Sequence, residues 1–148
     1  MSYLNTFKRY EIKYILDDTE RKELCDLMKD HMKLDKYGKT TIRNIYYDTD
    51  DSFLIRESLS KPYYKEKLRI RSYGRAGSDS SVFVELKKKY QSVVYKRRLT
   101  MNEADAMVWI MGDSSKKPES QIGNEIEYFL KLYGNLEPAV FLSYERES

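Results

Sequence analysis

Hydrophobic and polar positions along the chain follow two rhythms, and their order predicts the elements. Phe7 to Leu16 alternates with period two, Tyr10, Ile12 and Tyr14 facing one way and Arg9, Glu11 and Lys13 the other, which predicts a first strand. The rhythm then becomes helical from Asp17 to Met32, with Leu24, Leu27, Met28 and Met32 along one stripe. Asp17 followed three residues later by Glu20 has the form of a capping box, in which each side chain satisfies a backbone N–H at the helix start. Thr41 to Asp48 (TIRNIYYD) is rich in β-branched and aromatic residues and predicts a second strand; the Asp-Thr-Asp-Asp run that closes it suits the start of a short helix holding Phe53, Leu54 and Leu59.

Tyr64 to Tyr73 predicts a third strand and Val82 to Tyr90 a fourth, joined into a hairpin by the turn from Gly74 to Ser80. Val93 to Thr100 predicts a fifth strand, after which Asn102 caps a helix reaching about Met111 that carries Met107, Trp109 and Ile110 as core. Gly112 to Glu119 is a polar loop. Ile122, Ile126, Phe129, Leu130 and Tyr133 then form one stripe of a helix from Ser120 to Tyr133, with Gly134 as its stop, and Pro138 to Glu147 begins one more strand. The expectation is an α+β fold.

Composition narrows this reading. A chain of 148 residues is the size of a single domain, 1–148. Charged residues make up 34%, above the roughly 25% usual for soluble domains, so the surplus charge needs a location. Lys and Arg number 27 against 24 for Asp and Glu; a net +3 does not by itself imply a polyanionic partner, so distribution must decide. Cys25 is the one cysteine, which excludes an intrachain disulfide and a cysteine-rich zinc site. His31 is the one histidine, so no Ser/His/Asp set and no histidine-based metal site is expected. With no apolar leader at the start and no stretch of membrane-spanning length, the expected location is cytoplasmic.

The strands carry their charge unevenly. Residues two apart share a face, so Lys65, Lys67, Arg69 and Arg71 line up opposite Leu68 and Ile70. Glu85, Lys87 and Lys89 stand opposite Val84 and Leu86, and Lys96 and Arg98 opposite Tyr95 and Leu99. An ordinary half-exposed sheet would show mixed signs. Here two of the three polar faces are wholly cationic, an arrangement that repels itself unless an anion compensates it. Arginine forks match phosphate oxygens in pairs and lysines supply point charges, a mixture suited to a run of phosphates. Glycine-rich phosphate loops of the GxxxxGK and GxGxxG kinds are missing, so side chains must do the recognising.

The segments RYEIKY, NIYYDT, LRIRSYG, FVELKKK and VVYKRRL, in this order and spacing, resemble the vacuolar transporter chaperone (VTC) domain. This is a polyphosphate polymerase family within the triphosphate tunnel (CYTH-like) superfamily. The resemblance covers Phe7 to Arg146 and implies an antiparallel β-tunnel with flanking helices and a basic interior. It implies nucleoside triphosphate and polyphosphate as partners, with transfer of the terminal phosphate of ATP assisted by a divalent metal, Mn2+ or Mg2+. Carried over by position, the phosphate ligands are Lys13, Arg69, Arg71, Lys87, Lys96, Arg98 and Arg146, with Tyr144 beside the last; Glu11 and Glu85 are read as their ion-pair partners in preference to metal ligands. Family members continue with further strands, one bearing a metal-binding glutamate, so the expectation is a domain with its C-terminal closing strands missing, completed by a longer chain or a second chain. Catalysis by the chain alone is accordingly not expected.

Three other functions compete with a polymerase. One is a non-catalytic module binding polyphosphate or inositol phosphates, and another is an organic triphosphate hydrolase, whose usual two-glutamate first strand is broken here by Arg9. RNA binding through 14 tyrosines is the third, disfavoured because Tyr10, Tyr14 and Tyr95 alternate away from the cations; no DNA partner is expected.

Overall fold

A computed structural model of the chain describes residues 12–33, 35, 38–91 and 93–147. Its centre is a five-stranded antiparallel sheet built from β1 (Lys39–Asp48), β2 (Tyr64–Tyr73), β3 (Ser81–Tyr90), β4 (Val93–Asn102) and β5 (Glu137–Glu147), in the order β4-β3-β2-β1-β5. Chain neighbours β2, β3 and β4 form a meander, while β5 returns from the far end of the chain to pair with β1 from Lys39↔Glu147 to Asp48↔Glu137. Among the described residues the sheet is open, with β4 and β5 at its edges. No helix among them is long and apolar enough to cross a membrane.

Four helices, α1 (Asp18–Met28), α2 (Phe53–Leu59), α3 (Glu103–Ile110) and α4 (Gln121–Tyr133), connect or precede the strands. The core lies on one face of the sheet, where Leu68, Ile70, Val82, Val84 and Leu86 pack with Leu54 of α2, Ala106, Trp109 and Ile110 of α3, and Ile126 and Phe129 of α4. The alternation of each strand sends these apolar residues to the helices and sends the intervening cations to the opposite face. Burial of Trp109 brings its indole nitrogen with it, and that N–H donates to Glu127 Oε2 at 2.8 Å.

Local signals explain the helix starts. Asp17 accepts from Thr19 and Glu20 N–H while Glu20 accepts from the Asp17 N–H, the reciprocal cap expected from the sequence. Asp48, the last residue of β1, accepts from the N–H groups of Leu54 and Ile55 at 2.8 and 3.0 Å, so the acidic run does seed α2, though from a position before the run's other members. Gly123 in the first turn of α4 sits so close to Pro118 that an added Cβ would lie 2.2 Å from its carbonyl oxygen.

Two expectations need correction. Residues 12–16 hold no regular structure, so the first strand foreseen over Phe7 to Leu16 is not formed there, and its other residues lie outside the described ones. The period-two pattern alone did not supply a strand partner for that segment. Helix α1 ends at Met28 instead of Met32, and its apolar stripe is not a core stripe: none of its residues is buried, and Leu27 is 72% exposed.

Candidate functional site

The inner face of the sheet, away from α2, α3 and α4, gathers the cations. Register places Arg69 beside Glu85, Glu85 beside Arg98, Lys67 beside Lys87 and Lys87 beside Lys96, so these side chains share one surface across three strands. Glu85 is the only carboxylate that β2, β3 and β4 turn to this face. It is 1% exposed, and cations hold both of its oxygens. Oε1 receives Lys96 Nζ at 2.6 Å and Arg98 Nε at 2.7 Å; Oε2 receives Arg69 Nε at 2.8 Å, with Arg71 Nε at 3.8 Å. Among the described residues, four cations therefore share one negative charge.

Aromatic and polar groups from β1, β3 and β5 line the same surface. Arg69 Nη1 donates to Tyr46 Oη at 2.7 Å, and the Arg98 guanidinium lies 4.5 Å from the centre of the Phe83 ring. Arg71 donates through Nε to Asn44 Oδ1 at 3.0 Å and through Nη2 to Tyr144 Oη at 3.4 Å. Asn44 is itself buried, and its Nδ2 makes no hydrogen bond. A buried donor without a partner costs about 1–3 kcal/mol, so this amide stands out.

Burial works to raise the Glu85 pKa, but the charges of Arg69 and Arg71 and the Lys96 hydrogen bond outweigh it and bring the group to about 2. Burial lowers Lys96 to about 8, and the like charges of Arg98 and Arg71 add to that against the pull of Glu85. The two partners thus shift in the same direction. One carboxylate shared by several cations stays ionised; burial outweighs its pull at Lys96, whereas at Arg69 burial is outweighed by Glu85 and Tyr46, which raise the guanidinium.

The helix-packed face treats its cations differently. Lys88 lies 3.5 Å from Glu66 and Arg97 donates to Glu125 at 2.9 Å, while Tyr133 Oη donates to Glu66 at 3.2 Å. Acid and base are paired there, as an ordinary sheet would have them, in contrast to the clustering of cations on the inner face among the described residues.

Of the residues singled out in the sequence, Arg69, Arg71, Lys96 and Arg98 converge directly on Glu85. Lys87 is exposed beside Lys96 in register, and Arg146 is exposed opposite Thr40 at the far end of β1. Lys13 is exposed on the segment without regular structure. Glu11 lies outside the described residues. Asn44 and Tyr46 were missed; they face the cations because Asn44 pairs with Arg71 and Tyr46 with Arg69, a register that strand patterns do not contain. Tyr95 stands across from Lys88 and so points away from the inner-face cations, but Tyr46 and Tyr144 sit among them.

Among the described residues no group of three or more His, Cys, Asp or Glu side chains is gathered to hold a metal ion. Glu85 is also a poor ligand, since cations occupy both of its oxygens. The described residues do not fit a protein-held divalent ion.

The family model for the VTC domain matches residues 8–148. No curated protein sequence matches the chain. Among solved structures, one from Bacillus halodurans, provisionally described as an adenylate cyclase, superposes with a TM-score of 0.59 at 18% identity. The match covers 97% of this chain and 64% of the other, so the chain spans just under two thirds of that relative. At this identity the likeness speaks for the fold alone, an α+β architecture of a five-stranded antiparallel sheet with flanking helices.

Proposed function

Because the chain belongs to the VTC domain family, we propose that it is the phosphate-holding part of a polyphosphate polymerase-like phosphotransferase, which passes the terminal phosphate of ATP to a polyphosphate chain. The observation that carries this reading is the gathering of positive charge around Glu85, where, among the described residues, Arg69, Arg71, Lys96 and Arg98 meet a single carboxylate. A polyanion laid along the face supplies the missing negative charge, and its successive phosphates meet successive strands. Arg69 and Arg98 offer planar forks to the phosphate oxygens, and Lys96 and Lys87 offer point charges. Phosphoryl transfer demands mainly positioning and stabilisation of charge on the migrating group, which a preorganised cationic wall provides.

Calorimetry with inorganic tripolyphosphate tests binding. The double variant Arg69→Ala/Arg98→Ala keeps Lys96 and Arg71 next to Glu85, so the fold should survive, while affinity should fall by at least about tenfold, the value of one charge-assisted hydrogen bond. Unchanged affinity in a folded variant would place the ligand elsewhere. Incubation of the chain with γ-labelled ATP, Mn2+ or Mg2+ and a short polyphosphate primer then separates the chemistries. Lengthened polymer supports transfer, release of free phosphate identifies a triphosphate hydrolase, and binding with neither product identifies a holding module.

A further inference from the structure

We propose that the Asn44 side-chain amide nitrogen is a ligand for a phosphate oxygen, an uncharged donor set within the cationic face beside Arg71. This rests on the polyphosphate reading above and adds to it a residue that charge patterns do not reveal.

Orientation comes first. Arg71 Nε can only donate, and it lies 3.0 Å from Asn44 Oδ1, so the amide oxygen must be the atom facing Arg71. The amide nitrogen therefore faces away from that contact. It is buried and makes no hydrogen bond, on a residue only 1% exposed.

Among the described residues, the polar groups beside Asn44 on this face have protons to give. Arg71, its cross-strand partner, is a donor without acceptor capacity. Tyr144 Oη accepts from Arg71 at 3.4 Å, which leaves its own proton to donate. Glu85 is the nearby carboxylate, and Lys96, Arg98 and Arg69 already engage its oxygens. A bound water would accept from the amide but bring two further protons to a place where, among the described residues, cations already engage the carboxylate. A phosphate oxygen accepts without donating, so it answers both the orphaned amide and the charge surplus. A neutral donor has a further advantage here: it adds a contact without adding to the repulsion among Arg69, Arg71, Lys96 and Arg98.

The test measures inorganic tripolyphosphate binding by calorimetry at several salt concentrations for the wild-type chain, Asn44→Leu, Arg71→Ala and the double variant. Asn44→Leu should weaken binding about tenfold, the cost of one lost hydrogen bond to a charged group. The factor should be the same in the Arg71→Ala background. The salt dependence should be unchanged by Asn44→Leu and shallower for Arg71→Ala, because only the latter removes a charge. If Asn44 serves merely to hold Arg71, its substitution will have no effect once Arg71 is gone, and the proposal is overturned. Asn44→Ser, which retains a hydroxyl for Arg71, should bind with intermediate affinity and covers the case in which Asn44→Leu does not fold. The side-chain NH2 signal of Asn44 in 15N spectra, identified by its absence in Asn44→Leu, should move downfield on adding tripolyphosphate; an unmoved signal at saturation overturns the proposal. A wild-type chain that binds no tripolyphosphate removes the polyphosphate reading and this inference together, whereas binding sensitive to Arg69→Ala/Arg98→Ala but not to Asn44 removes this inference alone.

Discussion

Glu85 is held ionised by its neighbours, and its neighbours are held together by it. With a folded pKa of about 2 against an ordinary 4.5, the folded chain binds fewer protons than the unfolded chain between those values. The stability this group contributes is therefore complete above pH 4.5 and is lost as pH falls toward 2. Glu85→Gln should lose about 3–5 kcal/mol in urea unfolding at neutral pH, because four largely buried cations lose their counter-charge. High salt or tripolyphosphate should restore part of it, and a variant as stable as the parent would show that the cations do not depend on Glu85. Lys96 gives the opposite kind of signal. Its pKa of about 8 lies below the ordinary 10.5, so between these values the unfolded chain binds more protons and stability from this group rises with pH. Tripolyphosphate affinity should move the other way, falling as Lys96 loses its charge above pH 8, with proton uptake on binding near that pH. In Lys96→Arg the inflection should disappear, since arginine keeps its charge; an inflection that persists would assign it to another group.

At the scale of elements, small close contacts decide more than propensity does. Gly123→Ala should destabilise the chain by about 1–3 kcal/mol in thermal or urea unfolding, because the new methyl group meets the Pro118 backbone and the start of α4 must shift. A neutral result would mean the loop before α4 yields freely. Most elements were legible because each rests on a local signal. The Asp17 and Glu20 pair marks α1, Ser120 caps α4 by accepting from the Gly123 N–H, Gly134 ends α4 with φ of 61°, β-branched and aromatic residues mark β1, and alternating charge marks β2 to β4; Asn102 stands at the start of α3 without the side-chain cap expected of it. The cationic face was legible for the same reason, since period two fixes which residues share a side. What was not legible depends on contacts between distant segments. The exposure of Leu24 and Leu27 on α1, the pairing of Asn44 with Arg71, and the convergence of Arg69, Arg71, Lys96 and Arg98 on one carboxylate all need register and packing.

For the molecule as a whole, a net charge of +3 conceals a sorted distribution. Acid and base are paired on the helix-packed side, and among the described residues several cations gather on one carboxylate on the inner side. If the proposed reading holds, such a face would draw polyanions from a distance, and the association rate for tripolyphosphate should fall steeply between low and physiological salt in stopped-flow measurements, while dissociation changes little. A salt-independent association rate would argue against steering. The strand order β4-β3-β2-β1-β5 also has a temporal side. The meander from β2 to β4 closes through short loops and assembles the cations early, whereas β5 must find β1 across most of the chain, a search whose entropy makes it slow. Strand β5, exposed along its whole length, should exchange its amide hydrogens ahead of the interior strands β2 and β3. In that interval before β5 docks, the cations would stand together without Tyr144 beside Arg71, and a polyanion present during folding would act as a temporary scaffold that hastens the last pairing.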